Sequence, residues 1–228
     1  MLPKSYKPDG SFDLIRLGSD NDGGYLVDPK SIENSAALLA LGIGRNWSFE
    51  KDFIERKKVK VHAYDYSIGT PYWIKHFFKR LIMIIIGRLF APFQAVKLYL
   101  EFRAFFKEHA SLFLEKIGTA TGCDTNLNQA MERLDDMPIF LKVDIEGYEY
   151  QILDEIIVCS DSLSGLVIEF HAVSENKEKI EKFLDQISLK LIHIHPNNNR
   201  LDEEGDPKAI ELSFSKSPKK LGDQFICP

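Results

Sequence analysis

Apolar and polar positions along the chain alternate between short unbroken apolar runs and stretches with helical spacing. Ala37 to Leu41 is one such run; it stops at Gly42-Ile-Gly44, after which Phe49, Phe53 and Ile54 recur at helical intervals. A run without polar interruption suits a parallel strand buried on both faces, and the spacing after it predicts an amphipathic helix with Ser48 as N-cap. Val59 to Tyr64 alternates as a second strand and ends on Asp65. Ser111 to Lys116 predicts a third, Gly118 to Asp124 a loop, and Leu127 to Leu134 a helix. Ile139, Phe140, Leu141 and Val143 form a fourth strand that breaks off at Asp144, Glu146 and Glu149, with Tyr148, Ile152, Leu153 and Ile156 predicting a helix over 148–158. Gly165 to Phe170 is the next strand, ending in Glu169-Phe-His171. A helix carrying Ile180, Phe183, Leu184 and Ile187 then leads to a strand over Lys190 to His195, stopped by Pro196. Ala209 to Phe214 is the last strand, close enough for an antiparallel return. Six or seven strands alternating with helices define an α/β fold with a mostly parallel sheet.

Upstream, Arg16 to Tyr25 contains Asp22-Gly23-Gly24, a strong turn signal before the short strand of Leu26 and Val27. A hairpin is the first reading. Two adjacent glycines also let a backbone approach a ligand, and Asp22 beside them could hold an ammonium group.

The segment over 71–109 is of another kind. It carries seven Lys or Arg against Glu101 and Glu108, a local +5 in a chain of net charge -5, and 10 of the 26 aromatic residues. Leu81 to Ile86 is its most apolar run, but Arg80, Arg88 and Pro92 interrupt it well short of the roughly 20 residues that span a bilayer. Basic amphipathic helices of this composition pack as a cap on their own domain, pair two subunits, or lie on an anionic membrane. The expectation is therefore one domain over 1–228 with a helical insertion at about 71–109.

Net charge of -5 argues against nucleic acid as a partner, because phosphate binding needs a basic face. Cys123, Cys159 and Cys227 lack metal-ligand spacing and read as reduced thiols. The first ten residues hold no apolar segment, which excludes a standard secretory signal and sets the expectation of a cytoplasmic protein, in contact with a membrane's inner face if the insertion binds one.

The candidate chemistry gathers at strand ends. In a parallel sheet Asp144 and His171, joined by one right-handed strand-helix-strand unit, emerge on the same edge. Gly42 and Gly44 let a cofactor's polar part pass close to the backbone, and Asp65, 21 positions after Gly44, is placed to accept ribose hydroxyls. Trp47 occupies the third glycine position of a dinucleotide fingerprint, which speaks against an NAD-dependent oxidoreductase. A non-catalytic nucleotide-binding or membrane-associated scaffold is the other alternative.

These features resemble the class I S-adenosylmethionine-dependent methyltransferases, and more specifically the FkbM-like family. The hallmark is Leu141-Lys-Val-Asp-Ile-Glu-Gly-Tyr-Glu149, supported by Val167-Ile-Glu-Phe-His171, His193-Ile-His-Pro-Asn-Asn198 and Asp22-Gly-Gly-Tyr25. The resemblance covers about 16–70 and 110–215 and leaves out the basic insertion. It implies a Rossmann-like fold with a seven-stranded sheet whose last strand is antiparallel. It also implies S-adenosylmethionine as cofactor and O-methylation of a small hydroxylated acceptor such as a sugar, glycan or polyketide-type product. The resemblance places Gly42, Gly44, Asp65 and Asp144 on the cofactor. Ala40 stands where the family carries an acid, so Asp22, with Gly23 and Gly24, is the candidate for the cofactor's amino group. Asp144, Glu146, His171 and His195 are the catalytic candidates, His171 first as general base because an ordinary imidazole titrates near neutral pH. His193 and Asn197 are candidates for holding the acceptor. Carboxylates 144, 146 and 169 with nearby histidines could instead collect a divalent cation, but they follow no dedicated metal motif, and no metal site is assigned.

Overall fold

The structure is a computed structural model that describes residues 6–20, 23–197, 201–202 and 205–221. In chain order its elements are β1 (Ile15–Leu17), β2 (Tyr25–Val27), α1 (Pro29–Glu33), β3 (Ala37–Leu41), α2 (Ser48–Arg56), β4 (Lys60–Tyr64), α3 (Thr70–Ile82), α4 (Ala91–Glu108), β5 (Ser111–Phe113), α5 (Leu127–Leu134), β6 (Ile139–Val143), α6 (Leu153–Cys159), β7 (Leu163–His171), α7 (Lys177–Gln186), β8 (Lys190–Pro196) and β9 (Ala209–Ser215). The strands β1 and β2 form a separate antiparallel hairpin, and the others form one seven-stranded sheet in the order β5-β4-β3-β6-β7-β9-β8. Pairing is parallel from β5 through β7, and β9 runs antiparallel between β7 and β8. From β3 the chain winds outward through β4 and β5, then returns to the other side through β6 and β7. The strand order therefore reverses between β3 and β6, whose carboxyl ends border the crevice where open α/β sheets take ligands.

Both faces of the sheet are covered, which is why β3 and β6 are apolar at nearly every position. Leu39, Leu41, Leu141, Val143, Ile168 and Phe170 face α5, α6 and α7 in one buried cluster. Leu38, Phe140, Val61 and Val167 face the β1–β2 hairpin, α1 and α2 in another. Helix α5 has the bounds its pattern predicts, closed at its start by a reciprocal capping box between Asn126 and Gln129.

Three local expectations shift. Ser48 is the first helical residue of α2 rather than its cap; Trp47 holds the cap position, and the Asn46 side chain accepts from the Ser48 amide at 3.2 Å and from its hydroxyl at 2.7 Å. β5 stops at Phe113, and the following loop turns so that Ile117 bridges Thr125. After β6 the chain makes a single 3-10 turn over Glu149–Gln151 before α6 begins at Leu153, because the Glu149 side chain folds inward instead of lying along a helix start.

Helices α3 and α4 pack on each other as a hairpin. Trp73 and Phe102 bury its root with Ile68, and Trp47 joins them with its ring centroid 5.5 Å from that of Phe102. The bulky residue that departs from the dinucleotide fingerprint thus anchors the helical hairpin. No helix among the described residues is long and apolar enough to cross a membrane.

Candidate active site

The site begins where β3 and β6 end side by side. The Asp144 amide donates to the Leu41 carbonyl at 2.8 Å, and Gly42 then turns away with φ +79°. A Cβ on Gly42 would lie 1.6 Å from the Asp144 carbonyl oxygen, so only glycine lets the two strand ends meet. Gly44 differs: its φ is +56°, and among the described residues nothing lies within 4 Å of where its Cβ would be. Gly42 serves the packing of the chain on itself, whereas Gly44 presents backbone to open space.

Asp65, at the end of β4, ties this loop down. Its Oδ2 accepts from the amides of Ile43 (3.1 Å) and Gly44 (2.8 Å), and its Oδ1 from the amide and hydroxyl of Ser67 at 2.8 and 2.7 Å. Loop and acid are brought together as their spacing predicts. The four acceptor positions of the carboxylate are all engaged within the chain, so a ribose hydroxyl would take the place of one of these donors.

Across the crevice, the acids after β6 meet the end of β7. Ligand atoms of Asp144, Glu169 and His171 all lie within 4.8 Å of one another. His171 Nε2 stands 3.5 Å from Glu146 Oε2 and 3.7 Å from Glu169 Oε1. Glu149, completely buried, holds the histidine from behind: its Oε1 accepts from the His171 amide at 2.7 Å and lies 3.3 Å from Nδ1, while Oε2 accepts from the Gly147 amide at 2.8 Å. The Tyr150 hydroxyl donates to the His171 carbonyl at 2.6 Å. Both sides of the His171 peptide are therefore clamped by consecutive residues. Glu146 and Ala172, beside the cluster, are non-glycine residues with φ of 52° and 49°, a backbone strain that concentrates at functional sites. Burial alone would lower the His171 imidazole, but the carboxylates of Glu149, Glu169 and Asp144 outweigh it and hold the group up at about 9. At neutral pH the ring is charged, unlike the ordinary imidazole that the sequence argument assumes.

The β1–β2 hairpin closes the same face. Tyr25 is buried and its hydroxyl donates to Asp144 Oδ2 at 3.4 Å. Burial, with Asp144, Glu169, Glu211 and Glu50 around it, raises its pKa well above the ordinary phenol value, so it stays a donor. Sequence reasoning missed Tyr25 as a site residue, although it closes the Asp22-Gly-Gly-Tyr25 segment; it missed Glu149 too, which the helix predicted over 148–158 puts in an ordinary first turn. Gly23 (φ +79°) and Gly24 lie in the hairpin turn, where a Cβ would sit 2.7 Å from Asn46 Nδ2 and 1.8 Å from the Ser19 carbonyl oxygen, respectively. The turn thus abuts the residue two beyond Gly44. Asp22 lies outside the described residues.

The remaining histidines are further off. On β8, His195 is in register with Glu211 of β9 and, beyond it, Glu169 of β7; two strand spacings put it roughly 10 Å from the cluster. His193 follows the same face, its imidazole lowered by burial and by His195 and Arg16. The Asn197 amide donates to the Ala209 carbonyl at 2.9 Å, just past the end of β8.

Beneath the glycine loop lies a buried ion pair. Lys142 Nζ stands 2.9 Å from Glu50 Oε1 with both side chains almost fully enclosed, and it donates to the Gly42 carbonyl at 3.3 Å. A lysine within an apolar strand gives no hint of a partner 92 positions away.

This arrangement can accept a proton and polarise a hydroxyl, through a compact set of two carboxylates and an imidazole beside a backbone loop. The same set, with His171 Nδ1 fixed on Glu149 and Nε2 turned to the acids, has the donor chemistry for one hard divalent cation, whose binding must displace the Nε2 proton.

Residues 91–202 match the family model described as the methyltransferase FkbM domain. The match includes α4, contrary to the expectation that the resemblance leaves out the whole insertion, and it includes Asp144, Glu149, Glu169, His171, His193 and His195. The glycine loop, Asp65 and Tyr25 lie before it. Among solved structures, an rRNA methylase from Streptococcus thermophilus is 13% identical with a TM-score of 0.45, over 82% of this chain and 92% of that one. The M. jannaschii TYW2 in complex with AdoMet is 11% identical with a TM-score of 0.38, over 92% and 89%. The fibrillarin pre-rRNA processing protein of Methanococcus jannaschii is 13% identical with a TM-score of 0.42, over 93% and 84%. Likeness of this degree carries no argument about substrate. A comparison with curated proteins finds no match.

Proposed function

We propose, from the match of residues 91–202 to the family model described as the methyltransferase FkbM domain, that the chain transfers a methyl group from S-adenosylmethionine to a hydroxyl of a sugar, glycan or other small hydroxylated acceptor. The observation that carries this reading is the convergence of Asp144, Glu169 and His171 within 4.8 Å at the carboxyl ends of β6 and β7, beside the switch point of the sheet. The sulfonium group supplies an already activated methyl, so the chain's task is to align the acceptor and take its proton. The residues fit such a cofactor: Gly44 offers backbone with no described residue close beside it, and Asp65 fixes that loop while presenting the acid suited to a ribose. Asp144, held by the Tyr25 hydroxyl, is the group that receives the acceptor hydroxyl. His171, fixed by Glu149 and Tyr150, balances the surrounding carboxylates and keeps the cluster in one geometry.

Purified full-length chain tests this directly. S-adenosylhomocysteine is expected to raise the melting temperature while NAD does not. A panel of free and glycosidic sugars is then assayed for release of S-adenosylhomocysteine. Asp144→Asn and His171→Ala are each expected to lower turnover at least ~100-fold, with S-adenosylhomocysteine binding by His171→Ala close to the parent. No stabilisation by S-adenosylhomocysteine, or parental turnover in both variants, would remove the reading.

A second reading of the same cluster, in which a divalent cation positions the acceptor, is favoured by the three-ligand geometry alone. Loss of activity in chelator, restored by magnesium or manganese, supports it; unchanged activity in chelator eliminates it.

A further inference from the structure

The strongest feature outside the site is the outer face of the α3–α4 hairpin. On α3, Ile74, Phe78, Leu81, Ile82 and Ile85 beyond its end recur at helical spacing and are all exposed. On α4 and just before it, Leu89, Phe90, Phe93, Val96 and Leu100 do the same. Exposure reaches 84% for Ile85, 75% for Phe90 and 73% for Phe93, so these side chains stand out from the body rather than lying half-buried against it. The hairpin's inward residues are already satisfied: Trp73, His76, Ala91, Ala95, Phe102 and Phe105 are buried. Large apolar side chains exposed in this number on one helical hairpin mark a surface with a partner.

Charge identifies the partner. Exposed Lys75, Lys79, Arg88, Lys97, Arg103 and Lys107 flank the apolar residues along both helices, while Glu101 and Glu108 are the only acids between positions 71 and 109. One of these, Glu101, is already paired with Lys97 at 3.7 Å. A second copy of the chain docking face to face would set this cationic rim against itself. An anionic lipid surface accepts both features at once, with apolar tips entering the acyl boundary and lysine and arginine heads at the phosphate level. The segment between the helices is suited to entering first: a short 3-10 turn over Met83–Ile86 ends at Gly87 in the left-handed conformation (φ 82°), putting Ile85 and Phe90 on either side of the bend.

We propose that the α3–α4 hairpin docks the protein on anionic phospholipid membranes, inserting Ile82, Ile85, Phe90 and Phe93 without crossing the bilayer. The docking does not rest on the methyl-transfer reading.

The test is co-flotation of the full-length chain with vesicles of phosphatidylcholine alone or with about a third phosphatidylserine. Binding is expected only with phosphatidylserine and is expected to weaken at least ~10-fold on raising salt, because the Debye length shrinks to about 3 Å at 1 M. Ile85→Glu with Phe90→Glu should lose at least ~10-fold in binding with an unchanged circular dichroism spectrum, and Phe90→Trp should show emission quenched by brominated lipid. No binding to either vesicle, or binding that the double variant retains, overturns the proposal. So does a stable dimer, seen by light scattering, that the double variant disperses and vesicles do not, since that assigns the face to a second copy.

Discussion

Replacing Lys142 by Met tests whether the buried ion pair beneath the glycine loop is a stabilising element or only a matched pair of costs. Lys142 and Glu50 are 2% and 0% exposed and 2.9 Å apart, and the second carboxylate oxygen of Glu50 has no hydrogen-bond partner among the described residues. Two ions removed from water lose several kcal/mol of hydration each, and one direct contact barely repays that. Removing the lysine alone leaves a buried carboxylate with nothing opposite it. The expected loss is about 3–5 kcal/mol, a large share of the roughly 5–15 kcal/mol that holds a domain folded. Lys142→Met with Glu50→Leu removes both charges and fills similar volume among Phe49, Phe53 and Phe140. The double variant is expected to be within about 1 kcal/mol of the parent, or more stable than it. Urea unfolding followed by circular dichroism, with a common slope across the four proteins, gives the comparison. Because Lys142 also donates to the Gly42 carbonyl, the double variant should recover stability without recovering the full affinity for S-adenosylhomocysteine. A single variant within about 1 kcal/mol of the parent, or a double variant as unstable as the two singles added, would refute the reasoning.

Gly42→Ala and Gly44→Ala should separate packing from ligand approach. The first collides with the Asp144 carbonyl and is expected to be unstable or unfolded; the second should cost only about 1–2 kcal/mol of left-handed strain and weaken S-adenosylhomocysteine, both read by calorimetry and thermal melts. Glu149→Gln keeps an acceptor but removes a buried charge that accepts from the amides of Gly147 and His171. A loss of about 1–3 kcal/mol is expected, with turnover falling more than cofactor binding; equal losses would assign Glu149 to stability alone. Burial, then Arg45, Arg80 and Lys79, holds the buried His76 imidazole below its ordinary value, while Tyr72 and Trp73 pack against its ring. The folded chain thus keeps His76 neutral where the unfolded chain would protonate it. The stability this gives is complete above about 6.5 and is lost as pH falls through the lowered folded value. His76→Phe should therefore gain in melting temperature relative to the parent as the solution is acidified, and a constant difference across pH 5 to about 8 would contradict this.

The sheet was legible because burial on both faces leaves an unbroken apolar signature, as at Ala37–Leu41 and Ile139–Val143, and because each run stops at a glycine or an acid. Topology then followed from handedness: two parallel strands joined by one helix had to present Asp144 and His171 at a common edge. What could not be read were contacts between residues far apart whose types have common alternative explanations. Glu149 at a predicted helix start is ordinary, and only the inward 3-10 turn shows that it holds His171. Tyr25 reaches Asp144 over 119 positions from a hairpin that sequence treats as a turn. The electrostatic state of His171 was also out of reach, because it depends on three carboxylates, two from the segment after β6 and one from β7.

These contacts make the loop, the acids and the ion pair one mechanical unit. Gly42 packs on the Asp144 carbonyl, Lys142 holds the Gly42 carbonyl from below, and Asp65 holds the amides of Ile43 and Gly44 from the side. The position of Asp144 is thereby set by the same loop that offers backbone to a ligand. Any displacement of that loop must move the acid, whose side chain the Tyr25 hydroxyl keeps oriented toward Glu169 and His171. Precision at the reacting end of the crevice thus comes from backbone contacts under the loop as well as from the carboxylates themselves. That is why Glu146, 86% exposed and 3.5 Å from the outer nitrogen of His171, is the acid here whose replacement the site should tolerate best.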